Sequence, residues 1–141
     1  MPVDPRTQAR ELVLKGLYAF DSGAQGKEVI LREIIADEGL PEASLESARD
    51  QFQLVLDHRE WSNQIISELA DNWELERIAL IDQIIMRMAL VEFKTRVDVP
   101  VKVVLNEAIE LAKKYSTAES SKFINGILDS YIKRSPERSE P

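Results

Sequence analysis

The run VVLNEAIELAKKYSTAESSKFINGILD, residues Val103 to Asp129, carries two helical hydrophobic patterns with almost no chain between them. Val103, Val104, Ala108, Leu111, Ala112 and Tyr115 recur at three- and four-residue spacing, which predicts one buried helix face. Asn106, Glu107, Glu110, Lys113 and Lys114 are left largely outside it. Lys113 and Lys114 fall in the last turn, where cations suit the negative end of the helix dipole. Ser116 with Glu119 three residues on has the spacing of a capping box, so a second helix is predicted to start there. That helix is predicted to bury Phe123, Ile124, Ile127, Leu128 and Tyr131. Gly126 in its interior costs about 1 kcal/mol relative to Ala, which implies that another backbone approaches closely.

Upstream, the pattern stays helical. Ala9, Leu12, Val13, Leu17 and Phe20 predict an amphipathic helix over Thr7 to Phe20 with Pro5 at its start, ended by Ser22-Gly23 and Gly26. Val29, Ile30, Ile34 and Ile35 drive a second helix, stopped by Gly39 and Pro41. Leu45 to Leu56 makes a third, with Phe52 and Val55 inward. Trp61, Ile65, Ile66 and Leu69 make a fourth, either separate from the third or continuous with it through Asp57-His58-Arg59-Glu60. Trp73 to Leu80 is a short turn or helical step. Ile81 to Phe93 is apolar around most of its circumference, which predicts a central helix. Arg96 to Val99 is a connector, and Pro100 is placed in the first turn of the helix that follows. Arg134 to Pro141 reads as a polar, disordered tail. No strand alternation persists. The fold class is therefore all-α, about seven helices in two packed bundles: an N-terminal bundle over about 5–57, a C-terminal bundle over about 58–134, and a tail over 135–141.

A chain of 141 residues can bury a core without staples. It has no Cys, which excludes disulfides and thiolate chemistry, and a single His, His58, which leaves almost no material for a zinc site or a His-assisted nucleophile. The five Gly are scattered, so no phosphate-cradling loop is present. No catalytic residue, metal site or cofactor is expected. No apolar run approaches a membrane span, and the N-terminus lacks the apolar core of a signal peptide, so a cytoplasmic protein is expected.

The net charge of −7 is unevenly spread. Residues 23–76 alone carry −9, whereas 1–22 balance to zero and 100–134 sum to +2. A local basic surface is therefore compatible with an acidic chain. Arg6 and Arg10, with Lys15 beyond them, lie along the first helix. Beside Lys122, at a helix start, Phe123 is read two ways: as a core residue, or as an aromatic edge able to stack on a splayed base next to free backbone N–H groups. A helix-turn-helix DNA reader would need a basic recognition helix, and Ser121 to Tyr131 offers only Lys122. Trp61 and Trp73 are expected as buried anchors.

Three segments together resemble a known family: ARELVLKGLY (Ala9 to Tyr18), NWELERIALIDQIIMRMALVEF (Asn72 to Phe93) and DVPVKVVLNEAIELAKKYSTAESSKFINGILD (Asp98 to Asp129). They are similar to the bacterial transcription antitermination factors of the NusB family. The resemblance implies an all-helical protein without enzymatic activity that binds the boxA element of nascent single-stranded RNA. It implies binding jointly with NusE, a small-subunit ribosomal protein, to support processive rRNA transcription by an RNA polymerase elongation complex with other Nus factors. On matching positions, the RNA side would use Arg6, Arg10, Tyr18, Glu119, Lys122 and Phe123, and the NusE side Asp82. Asn125, Gly126, Arg87 and Glu92 would be structural. Some family members form homodimers. Helix one departs from the family's denser basic run, since Asp4 precedes Arg6-Thr7-Gln8-Ala9-Arg10; RNA binding by the protein alone is expected to be weak and to strengthen with NusE. A protein-binding scaffold that has lost RNA recognition is the competing expectation.

Overall fold

Asp4 starts the first helix. A computed structural model of the chain describes residues 4–34, 36, 39–71 and 74–135; among them lie seven α-helices and no strand. The chain divides into two compact units, Met1–Leu56 and Asp57–Pro141.

In the N-terminal unit, α1 spans Pro5–Asp21. Oδ1 of Asp4 accepts the Arg6 backbone N–H at 2.8 Å, and Pro5 occupies a first-turn position where its missing donor costs nothing. This cap explains why α1 begins ahead of the predicted Thr7. Leu12, Val13, Leu14 and Leu17 are buried, and Phe20 meets Phe52 edge to face with ring centroids 6.3 Å apart. Gly23, at φ +78°, takes the left-handed conformation that closes the helix. The predicted second helix is instead a short α2, Lys27–Val29, that widens into a π-helical turn over Ile30–Ile34. Nothing in the periodicity marks that widening; Ile30 is fully buried as expected, and Ile35 lies outside the described residues. α3 spans Glu42–Asp57 and starts earlier than the predicted Leu45. The Pro41 carbonyl accepts the N–H groups of Ser44 and Leu45 at 3.0 and 3.1 Å, so this proline precedes a helix as well as following one. Leu12, Leu40 and Leu45 form a buried cluster.

In the C-terminal unit, α4 (Arg59–Leu69) is separate from α3, because His58 leaves the helical conformation at φ −104°, ψ 20°. A single 3-10 turn, Leu75–Arg77, follows, and Asn72 and Trp73 fall outside the described residues. α5 (Leu80–Thr95) is the centre of this unit: every residue from Asp82 to Phe93 is buried, and the helix packs against α4, α6 and α7. Its polar members are bonded. The Gln83 Nε2 donates to the carbonyls of Leu75 and Ile78, both at 2.8 Å, and the Arg87 guanidinium donates to Gln83 Oε1 at 2.8 Å and to Asn63 Oδ1 at 2.7 Å. Buried amides and guanidinium groups are tolerated only when paired in this way.

α6 spans Val101–Tyr115, with Pro100 just outside it as the N-cap and not in its first turn. Val104, Ala108, Leu111 and Ala112 are buried, but Val103 is 42% exposed, contrary to the expectation. At about 100° per residue the buried stripe is centred roughly 130° from Val103, so it falls outside. α7 spans Ala118–Arg134 and buries Ile124, Ile127, Leu128 and Tyr131. Phe93 stacks on Tyr131 at 5.8 Å, the half-buried Trp61 meets Tyr131 edge to face at 6.1 Å, and Lys94 Nζ lies 4.7 Å from the centre of a Trp61 ring. Arg134, at the boundary between the expected bundle and tail, is the last residue of α7 and pairs with Glu68 at 2.8 Å; residues 136–141 lie outside the described residues.

Candidate functional site at the start of α7

The turn between α6 and α7 is one residue longer than a capping box on Ser116 would give. The Ser116 N–H still bonds back to the Ala112 carbonyl at 2.8 Å, so this residue finishes α6. Thr117 is the N-cap of α7 in place of Ser116. Its Oγ1 accepts the Ser120 backbone N–H at 3.0 Å and donates to Ser120 Oγ at 3.1 Å. Ser120 takes the third helical position that the sequence reading gave to Glu119, and its hydroxyl donates to Asp82 Oδ2 at 2.7 Å. The signal was present in the sequence as T-A-E-S, a threonine with a serine three residues on, one position out of phase with S-T-A-E.

Glu119 sits in the first turn of α7, where the positive end of the dipole favours it. Glu119, Lys122 and Phe123 are related by three- and four-residue steps and so share one face. Glu119 and Lys122 are exposed, and Phe123 is half-buried, between the two readings given for it. Ser121 turns inward, with its hydroxyl donating to the Ala118 carbonyl at 2.8 Å. Just before the turn, Lys113 pairs with Glu110 at 3.7 Å, and Lys114 Nζ lies 5.4 Å from the Tyr115 ring centre.

The remaining residues of interest divide between the units. Arg6, Arg10 and Tyr18 are on α1; Tyr18 is 46% exposed and Arg10 half-buried. The Arg6 guanidinium folds back on the cap, with Nη2 3.3 Å and Nε 3.4 Å from the two oxygens of Asp4. That hydrogen-bonded pair, with the Arg6 backbone N–H, holds the Asp4 carboxyl below its usual range. Asp82 is in the C-terminal unit with Glu119, Lys122 and Phe123, but only 5% of it is exposed. Its carboxyl lies under the α7 start instead of standing on the surface. Thr117 and Ser120 were not among the residues expected to matter.

No group of three or more His, Asp or Glu side chains able to hold a metal occurs among the described residues, and none of their helices is long and apolar enough to cross a membrane. Comparison with known proteins agrees with the helical layout. The NusB family model matches residues 7–133. The transcription antitermination protein NusB of Geobacter sulfurreducens is 41% identical over 135 residues, covering 94% of this chain and 97% of that protein. The structure of NusB from T. maritima superposes with a TM-score of 0.87 at 33% identity, over the whole of both chains. A chain in a crystal structure of a plectonemic RNA supercoil shares the fold, with a TM-score of 0.85 at 21% identity over 94% of this chain and 96% of that one.

An all-helical chain with these relatives falls in the class of transcription antitermination proteins. It belongs to the NusB family.

Proposed function

We propose that the protein is a non-enzymatic, cytoplasmic antitermination factor that binds boxA-type single-stranded RNA jointly with NusE, and thereby supports processive rRNA transcription by an RNA polymerase elongation complex carrying other Nus factors. The observation that carries this reading is the shared face of α7, where Glu119, Lys122 and Phe123 follow a hydroxyl-capped helix start. A cation beside an aromatic edge suits a splayed single strand, with the ammonium near phosphate and the ring against a base. Arg6, Arg10 and Tyr18 on α1 supply the remaining RNA contacts. NusE docks toward the start of α5, which Asp82 anchors. Two modest surfaces engaged at once give a strong complex through effective concentration.

Fluorescence anisotropy with boxA RNA across a salt series, with and without NusE, tests this. Weak binding alone and much stronger binding with NusE is the expected result; equal affinity in both arms contradicts it. Lys122→Ala and Phe123→Ala are expected to weaken the ternary complex without unfolding the protein. If both variants match the parent protein in ternary affinity, the protein is a protein-binding scaffold without RNA recognition.

A further inference from the structure

Asp82 is the third residue of α5, and 95% of it is removed from solvent. Its Oδ2 accepts the Ser120 hydroxyl at 2.7 Å, while its Oδ1 is buried without a hydrogen-bond partner. A carboxyl this enclosed has little surface to offer a docking protein. What it does reach is the first turn of α7, through a continuous chain of donors: Thr117 Oγ1 donates to Ser120 Oγ, which donates to Asp82. Such chains polarise along their length, and a link ending on a carboxylate is stronger than one between neutral groups. The same Thr117 oxygen accepts the Ser120 backbone N–H, so side chain and backbone of Ser120 are both held.

We propose that Asp82 is a positioning residue for the α7 corner: through Ser120 and Thr117 it fixes the first turn of α7 against α5, and so sets where Lys122 and Phe123 stand. α5 is suited to this because it is buried from Asp82 to Phe93 and makes a stiff reference. Lys122 and Phe123 follow Ser120 by two and three residues, so a rotation of that turn moves both. The RNA arm of the proposal rests on the reading of this corner as RNA-facing; the placement of the turn does not.

Two measurements test it on the full chain. In the first, without RNA, amide exchange of Ser120 to Phe123 is followed in Asp82→Ala and Ser120→Ala. Faster exchange confined to this turn is expected; unchanged exchange there, or acceleration spread evenly through the C-terminal unit, overturns the proposal. In the second, anisotropy with boxA RNA is read at fixed NusE concentration. Each single variant is expected to bind about three- to tenfold more weakly, the worth of one hydrogen bond, and the double variant no more weakly than the worse single. Asp82→Asn retains an acceptor oxygen and is expected to stay within about twofold of the parent. Unchanged affinity in the alanine variants, alongside a loss in Lys122→Ala, overturns the positioning role in RNA binding. Local exchange as expected, with no RNA bound even by the parent protein, supports the placement by Asp82 and removes the RNA reading instead.

Discussion

Arg6 closes on the residue that caps its own helix: its backbone N–H donates to Asp4 Oδ1 at 2.8 Å, and its Nη2 lies 3.3 Å from Asp4 Oδ2. One of the two cations at the start of α1 is therefore partly neutralised by the cap, even though the Arg6 side chain is 82% exposed. Asp4→Asn separates the two jobs. Asn caps a helix about as well as Asp, so the start of α1 survives, but the carboxylate facing Arg6 is gone. The expected outcome is tighter binding of boxA RNA in the presence of NusE, with a salt dependence steeper by about 0.7 in log–log slope, the worth of one added phosphate contact on a single strand. Anisotropy titrations at four or more salt concentrations check it. An unchanged slope means that Arg6 does not reach phosphate.

Acid is expected to weaken the folded state through two surface carboxyls. Arg6 holds Asp4 below its ordinary value of 3.8, and the guanidinium of Arg134, with the Gln64 amide, holds Glu68 below its ordinary value of 4.5. Depressed values mean that the folded state binds these protons less readily than the unfolded chain. Their contribution is present above 4.5 for Glu68 and above 3.8 for Asp4, and is lost as pH falls through the lower folded values. Both pairs face solvent, so the loss should shrink with added salt. Thermal melts from about pH 6 to about pH 3 are expected to show a shallower acid decline for Glu68→Gln than for the parent protein. Parallel declines would mean that the Arg134 pair does not survive in solution.

Hydrophobic period carried most of the fold. It placed α5 at the centre of its unit and the inward residues of α1 and α7 because the apolar stripes there are long, and burial on one face admits a single solution. It failed where local hydrogen bonding outweighs the stripe. Thr117 outcompetes Ser116 as a cap because Ser116 still spends its N–H on α6, and nothing in a four-residue pattern reveals that. Val103 joins the inward set of α6 on the apolar pattern alone, yet it stands on the far side of the stripe from Ala112. At the candidate site, Glu119, Lys122 and Phe123 were legible because they are close in sequence. The Ser120–Asp82 bond joins residues 38 apart, and no local signal announces such a contact.

A second hydrogen-bond network, local in sequence, holds the start of α5. Gln83 Nε2 bridges the carbonyls of Leu75, which opens the 3-10 turn, and Ile78, which follows it, and its Oε1 accepts from Arg87. Gln83→Leu keeps the bulk but removes all three bonds. Leaving the Ile78 carbonyl and a guanidinium N–H short of a partner is expected to cost about 2–4 kcal/mol. Urea unfolding followed by circular dichroism measures it. A cost below about 0.5 kcal/mol would show that water replaces the amide at no penalty.

Gly126 behaves in the opposite sense. Its place within α7 suggested a backbone pressed against a neighbour, yet the residue is exposed and a Cβ added there would meet nothing within 4 Å. No positive φ requires glycine at this position, since Gly23 alone among the described residues adopts one. What remains is the entropic penalty of glycine in a helix, about 0.5–1 kcal/mol relative to alanine, with no compensating contact. Gly126→Ala is therefore expected to stabilise the protein by that amount, visible as a raised denaturation midpoint at unchanged slope. It lies three residues beyond Phe123 and four beyond Lys122, on the same face of α7, so the substitution changes that face by a single methyl while leaving the core beneath it alone. A lowered midpoint would mean that the backbone at Gly126 is not free to carry a side chain, and that α7 packs more closely there than its exposure indicates.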